Sequence, residues 1–525
     1  MRDCLKNIVL IPLLFLLWKP AITQCIKDSN YYSINYTGTR ENYVADGIVT
    51  SNAEIVSLLG NNAYGNFISK FTSEGAVIWS NEYAPDYPQH YWWQYPWYEG
   101  TRFNGMIMAR DSTYYIYGSA LEHGSTLNGG EDPPSHWAGL ILHIDKYGGI
   151  IAGKYIGNWR TDYTINSFIQ LSDGNFAVYL RSLFDPYISK VLCINDKADI
   201  FWGAALQTYF LYKEVDEVNP VMKQLKNGNV VVANAMVRHL DDTIQYPFTP
   251  PIILPAPLYY FHLFEIDGKN GDLLWERSSQ CPHLTNTNVN PAFIPRVKSI
   301  AELPNGYLSF CGDMYVPADN LIFYAHKLYT RHAVNFITDK DGYFLKLLSY
   351  SPQSGSCSLQ NVWQTGNNGE QILLAKDSAN QKLILFHIDD SGKIISAKSF
   401  SNINNTKTSS GFILQKPQGN GYFVFQGDPY LAQFNLNITN SIGNNPCIQL
   451  AVTMLSEDIP WPWYVDKVHF LPRHFDVDFR YSPFNFAKKQ YPLGQHTDCQ
   501  YQYVCCTDFI DSLHPHNISI CEDQS

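Results

Sequence analysis

The stretch FHLFEIDGKNGDLLW, residues 261–275, decides the fold. An apolar run with alternating side chains meets a polar turn carrying a Gly, and a second apolar run ends in Trp. Period-two alternation about an Asp/Asn-Gly turn is the signature of a β-hairpin, because Gly accepts the positive φ that such turns demand. The same segment recurs as NFISKFTSEGAVIW (66–79), LILHIDKYGGIIA (140–152), ISKVLCINDKADIFW (188–202), AVNFITDKDGYFLK (333–346) and LILFHIDDSGKIIS (383–396). A seventh copy, YLAQFNLN (430–437), is truncated.

Between these copies lies a second type of hairpin, seen in INSFIQLSDGNFAVYL, PVMKQLKNGNVVVANA, KSIAELPNGYLSFCG and GFILQKPQGNGYFVFQG, with three weaker members. Two hairpins make a four-stranded blade. The turn positions Gly75, Gly148, Ala198, Gly271, Gly342 and Gly392 are 73, 50, 73, 71 and 50 residues apart, a blade period with occasional insertions. The expected fold is an all-β propeller of seven blades, with six or eight as the alternatives. Closing the ring removes the exposed edges of so long a sheet, and the expected seam joins residues 46–59 to residues 430–440.

At the N-terminus, Arg2 and Lys6 precede the apolar run Ile8–Trp18, which reads as a secretory signal peptide over residues 1–23. A bilayer-spanning helix needs roughly 20 apolar residues, and the sequence offers no such transmembrane segment. The expected domains are the propeller over 24–440, an accessory β segment over 441–498 and a Cys-rich tail over 499–525. The expected location is secreted, extracellular or at the cell surface.

Aromatic residues make up 15% of the chain and charged ones only 16%, which suits strands and turns better than helices. The net charge of −11 becomes −13 once the signal peptide is removed, so nucleic acid is a poor partner. Ten cysteines remain after that removal, an even number suited to disulfides in an oxidising compartment. Cys499, Cys505, Cys506 and Cys521 crowd the last residues, and with Cys447 they are the disulfide candidates. Adjacent Cys505 and Cys506 are expected to pair elsewhere, because joining neighbours strains the bond. No paired CxxC spacing points to zinc, and neither a metal nor a cofactor is expected.

In an antiparallel meander the two tight turns of every blade share one face, and the connectors share the other. Nearly all inserted sequence falls in connectors: 80–102, 122–137, 204–217, 238–258, 278–295 and 313–331. Loops on a rigid scaffold are where binding residues are usually placed. The richest insertion, YAPDYPQHYWWQYPWYEG (83–100), offers Tyr91, Trp92, Trp93, Trp97 and Tyr98 as ligand-binding candidates. Flat rings of this kind stack on sugars or receive a peptide, and they equally cap a propeller by packing on each other.

Common catalytic signatures are missing: no phosphate loop, GxSxG elbow, HExxH or Rossmann fingerprint is present. Asp339, Asp341 and Gly342 lack the remaining ligands of a calcium loop and read as a hairpin turn. Asp86, Glu99 and Asp111, near the aromatic connector in sequence, are the candidate acid/base carboxylates of an alternative, hydrolytic or lytic, reading. Trp79, Trp202 and Trp275 read as structural, docking one blade on the next.

DGKNGDLLW (267–275) resembles blade motifs of quinoprotein dehydrogenases, and FTSEGAVIW (71–79) is distantly similar to the Asp-box of sialidases; both reflect blade architecture. The ending DCQYQYVCCTDFIDSLHPHNISICEDQS, and NISICEDQS (517–525) above all, resembles linkers in large secreted proteins of the Bacteroidota that bear propeller-like DGG repeats and are exported by type IX secretion. That resemblance implies a multidomain surface protein and supplies no catalytic residues. The leading expectation is therefore an extracellular binding propeller for a carbohydrate or protein ligand. A carbohydrate-active hydrolase or lyase and a structural spacer are the alternatives.

Overall fold

A computed structural model describes residues 31–501, apart from the segments 38–42, 62–64, 86–100, 123–135, 158–161, 183–188, 207–214, 239–242, 245–251, 254–257, 281–295, 318–328, 353–354, 365–368, 380–381, 401–409, 416–421, 429–432, 440–448, 452–453, 459–464, 467–472, 475–485 and 491–493. Every described element is a strand. Seven sheets contain four antiparallel strands in meander order, and a two-stranded hairpin, Thr243–Ile244 with Ile252–Ile253, lies within one connector. In blades 1 to 6 the inner hairpin comes from the second segment type and the outer hairpin from the type exemplified by residues 261–275.

Innermost strands pack side by side around a centre. Tyr43–Val49 of blade 1 touches Thr101–Met108 of blade 2 and also Ser410–Gln415 of blade 7, so the ring is closed. The closing strand is Tyr31–Thr37, which pairs with Gln433–Thr439 as the outermost strand of blade 7. This completes the copy that reads as truncated in the sequence. The seam therefore uses residues 31–37 rather than the expected 46–59, which instead supply the inner hairpin of blade 1.

Residues 449–501 form no sheet of their own among the described residues. They run around the circumference as a belt, adding a fifth strand to the outer edge of one blade after another. Gln449–Ala451 pairs on blade 6, Met454–Asp458 on blade 5, Val465–Asp466 on blade 4 and Arg473–His474 on blade 3. Phe486–Gln490 then pairs on blade 1 and Gly494–Tyr501 on blade 7. The belt runs against the blade order and satisfies backbone groups that an edge strand leaves open.

The core lies between blades. Ala233, Phe261 and Leu263 of blade 4 pack against Phe310, Val334 and Phe336 of blade 5, whose two Phe rings stack at 4.6 Å. Burying one such side chain contributes roughly 1.5–3 kcal/mol.

Each of the six expected turn positions adopts positive φ, from 65° at Ala198 to 87° at Gly75. Gly148, Gly271, Gly342 and Gly392 also receive the preceding blade. A Cβ at Gly271 would lie 2.6 Å from Trp202, and one at Gly342 would lie 2.4 Å from Trp275, so the indole of one blade sits directly on the bare turn of the next. Trp202 Nε1 adds a hydrogen bond to the Gly268 carbonyl at 3.3 Å, and Trp79 lies beside Gly148 in the same way. The docking role expected for these tryptophans is what the structure shows. Blade 2 explains the exception at Ala198. Its outer strand carries Ala152 at the register position held by Trp79 and Trp202 in their blades. With no indole to seat, the following turn tolerates a methyl group.

Inner strands share a second device. Register shifts, the mark of a β-bulge, occur after Val44, Phe103, Ile165, Val218, Val297 and Leu359 in blades 1 to 6. A residue just past the bulge latches the next blade. Asp46 Oδ2 accepts the Met106 backbone N–H at 2.9 Å, and Ser167 Oγ accepts that of Met222 at 3.2 Å.

Candidate functional site

The tight turns occupy one face. Their backbone bonds repeat from blade to blade, as in Thr72 N–H to Ala76 O at 2.8 Å and Leu171 N–H to Asn175 O at 2.8 Å. Asp339 belongs to this set: its carboxylate Oδ1 accepts the N–H groups of Asp341 at 3.0 Å and Tyr343 at 2.8 Å, closing a hairpin turn. Among the described residues no group of His, Cys, Asp or Glu is arranged to hold a metal.

Asp111 lies in the tight turn 109–113, where it accepts the Thr113 N–H and hydroxyl. The strand Thr101–Met108 separates this turn from residue 101 by a rise of roughly 26 Å at 3.3 Å per residue, and Asp86 and Glu99 lie outside the described residues.

The strands flanking every long connector end on the opposite face. Val77–Pro85, which precedes the aromatic connector in sequence, ends there, and Thr101–Met108, which follows it, begins there. Tyr91, Trp92, Trp93, Trp97 and Tyr98 themselves lie outside the described residues, as do Cys447, Cys505, Cys506 and Cys521. Cys499 falls opposite Ser33 on the belt strand of blade 7, and its side chain is outside the described set. The described cysteines, Cys193, Cys311 and Cys357, are buried free thiols, and burial pushes each up to about 12.

Cations gather where the strands meet this face. In blade 2, Arg102 lies over the Trp137 ring at 5.3 Å. In blade 3, Lys190 Nζ stands 3.3 Å from the Tyr163 hydroxyl and over its ring, and burial lowers its pKa to about 8.

Blade 5 holds the densest group. Arg296 opens its inner strand, Arg296–Glu302, directly opposite Asp313 on Leu308–Pro317. Arg331, near the start of Tyr329–Thr338, donates from Nε at 3.0 Å and Nη2 at 2.5 Å to Asp313 Oδ1. Its guanidinium also lies 5.7 Å over Tyr315. Lys298 occupies the bulge between Val297 and Ser299. Burial lowers the Lys298 pKa; Asp313 opposes that shift, and Arg296 and Arg331 add to it. Burial also lowers the pKa of Arg296, with Arg331 reinforcing the shift.

Asp313 is the one carboxylate acting on both cations, and it is already ion-paired to Arg331. Cys311, two residues before Asp313 and so on the same side of its strand, packs with Cys357 and Leu359 of blade 6, which places the group at the junction of blades 5 and 6. None of these four charged residues stands out in the sequence. The available signal was positional: at the bulge where blade 5 has Lys298, blades 2, 3 and 6 have Asn104, Asn166 and Gln360.

No protein-family model matches the chain, and no curated protein matches it. Solved structures are similar to it in fold. A PL25 ulvan lyase, described as a new family of polysaccharide lyase, aligns with 10% identity and a TM-score of 0.47 over 77% of this chain and 96% of its own. The polysaccharide lyase Uly1 aligns with 9% identity and a TM-score of 0.42, over 75% and 89%. An exotype rhamnogalacturonan lyase, YesX, aligns with 10% identity and a TM-score of 0.32, over 78% and 73%.

Proposed function

We propose that this chain is an extracellular binding propeller that holds a carbohydrate or protein ligand against its long-connector face. One observation carries the reading: the tight turns that build the ring fill one face, while the chain length the ring does not need emerges on the other. Arg102, Lys190, Arg296, Lys298 and Arg331 stand near the strand ends on that face. A rigid scaffold presenting variable loops on one side is how binding sites are commonly built. The aromatic connector 83–100 supplies ring faces for a ligand.

A glycan and peptide array probed with purified residues 24–525 tests the reading. Binding is expected, and it is expected to fall at least tenfold in the combined Trp92→Ala, Trp93→Ala, Trp97→Ala variant. An empty array for the unmodified chain would end the proposal. Shortening of a bound polysaccharide in the same incubation would favour a hydrolase or lyase instead.

A further inference from the structure

We infer that the junction of blades 5 and 6 is an oxyanion-recognition site for an acidic polysaccharide, built by Arg296, Lys298 and Arg331. The inference rests on the binding reading above and narrows its ligand class.

The repeat itself supplies the comparison. Contacts that build the ring recur in more than one blade: indole on bare turn from blades 1, 3 and 4, and carboxylate or hydroxyl on backbone N–H from blades 1 and 3. Arg296 and Lys298 together have no such recurrence in blades 2, 3 and 6. The paired positions before the bulge are Arg102 with Ser119 in blade 2, Thr164 with Arg181 in blade 3 and Ser358 with Lys376 in blade 6. Only blade 5 among these combines a cation before the bulge with a cation at the bulge. At the bulge the amides have local work, as Asn104 donates to Thr164 Oγ1 at 2.9 Å and to the Ile165 carbonyl at 2.7 Å. Among the described residues no carboxylate forms an ion pair with Arg296 or Lys298.

Three cations around one carboxylate leave an excess of positive charge in a partly desolvated place. Desolvated charge without a partner is unfavourable, and a bound anion removes the imbalance. A guanidinium matches a carboxylate or sulfate in two-point geometry, and an ammonium adds a point charge. The shared chemistry is an oxyanion on a sugar ring. A glycan rather than an acidic peptide is favoured because the strands flanking the aromatic-rich sequence 86–100 end and begin on the same face, and flat rings pack against sugars.

The test is affinity electrophoresis of the purified chain through gels containing polygalacturonate, dextran sulfate, uncharged dextran or poly-glutamate. Retardation by an acidic polysaccharide is expected, with polygalacturonate and dextran sulfate distinguishing carboxylate from sulfate ester. In an Arg296→Gln, Lys298→Gln variant the affinity should fall at least tenfold, and in the charge-conserving Arg296→Lys, Lys298→Arg variant it should be largely kept. The second variant keeps the result readable if the first fails to fold.

Equal retardation of the wild type and the Gln variant overturns the site. Equal retardation by dextran and polygalacturonate overturns the anion preference while leaving the binding face standing. Poly-glutamate bound as tightly, with the same sensitivity to the variant, replaces the glycan with an acidic peptide. No retardation in any gel, together with an empty array, removes both readings.

Discussion

The tight-turn rim and the mouth between blades 5 and 6 use similar residue types to opposite ends. At the rim one interaction recurs in three blades: Trp79 on Gly148, Trp202 on Gly271 and Trp275 on Gly342. At the mouth, Arg296, Lys298, Asp313 and Arg331 form a group that the other blades do not copy. In a repeat protein the shared features are those each unit needs to pack on the next. A feature confined to one unit is freed from that requirement, which is why the mouth and not the rim is the place to look for a ligand.

The sharpest way to break this contrast is at the rim. Trp275→Ala removes the indole from the Gly342 turn and its Nε1 donor from Glu265 Oε2, 2.5 Å away. A loss of about 4 kcal/mol is expected, in the range for large aromatic truncations, measured by urea denaturation. Gly271→Ala comes next, since its methyl would stand 2.6 Å from Trp202 at a φ of 80°. About 2–3 kcal/mol is expected from the crowding and the positive φ together. The reverse change, Ala198→Gly, should move stability by less than about 1 kcal/mol, because the preceding blade presents Ala152 there. Equal costs at Gly271 and Ala198 would mean the indole is not what the glycine accommodates.

Asp46, on the inner strand of blade 1, sharpens the comparison from the ring's centre. Burial raises its pKa to about 6, against the Met106 and Gly47 N–H groups that favour the carboxylate. In the unfolded chain an Asp titrates near 3.9. Between those values the folded state binds more protons than the unfolded one, so stability falls as pH rises from about 4 to about 6. A loss of about 2 kcal/mol is expected across that window, and Asp46→Asn should flatten this component in denaturation curves taken at several pH values. The smallest expected effect on stability is at the mouth: Arg296→Gln with Lys298→Gln should change the unfolding free energy by less than about 1 kcal/mol.

The rim was legible in the sequence because period-two alternation, a turn Gly and a terminal Trp recur together, and each has a local physical reason. The seam was not. Tyr31–Thr37 finds its partner strand at Gln433–Thr439, across almost the whole chain, with no turn between them to announce the pairing. The belt was hidden for a related cause: its pieces are as short as the two residues Arg473–His474, and they attach through backbone hydrogen bonds that leave no side-chain period. The aromatic connector could be read as a candidate from composition alone, whereas Arg296, Asp313 and Arg331 meet only through strand register.

The most direct test of the division between a structural face and a binding face is hydrogen exchange, with and without the best ligand from the array. Ligand is predicted to slow exchange in peptides covering 83–101, 281–298 and 318–331, and to leave the tight turns 195–199 and 267–272 unchanged. Protection concentrated at those turns, with the long-connector peptides unaffected, would contradict the account.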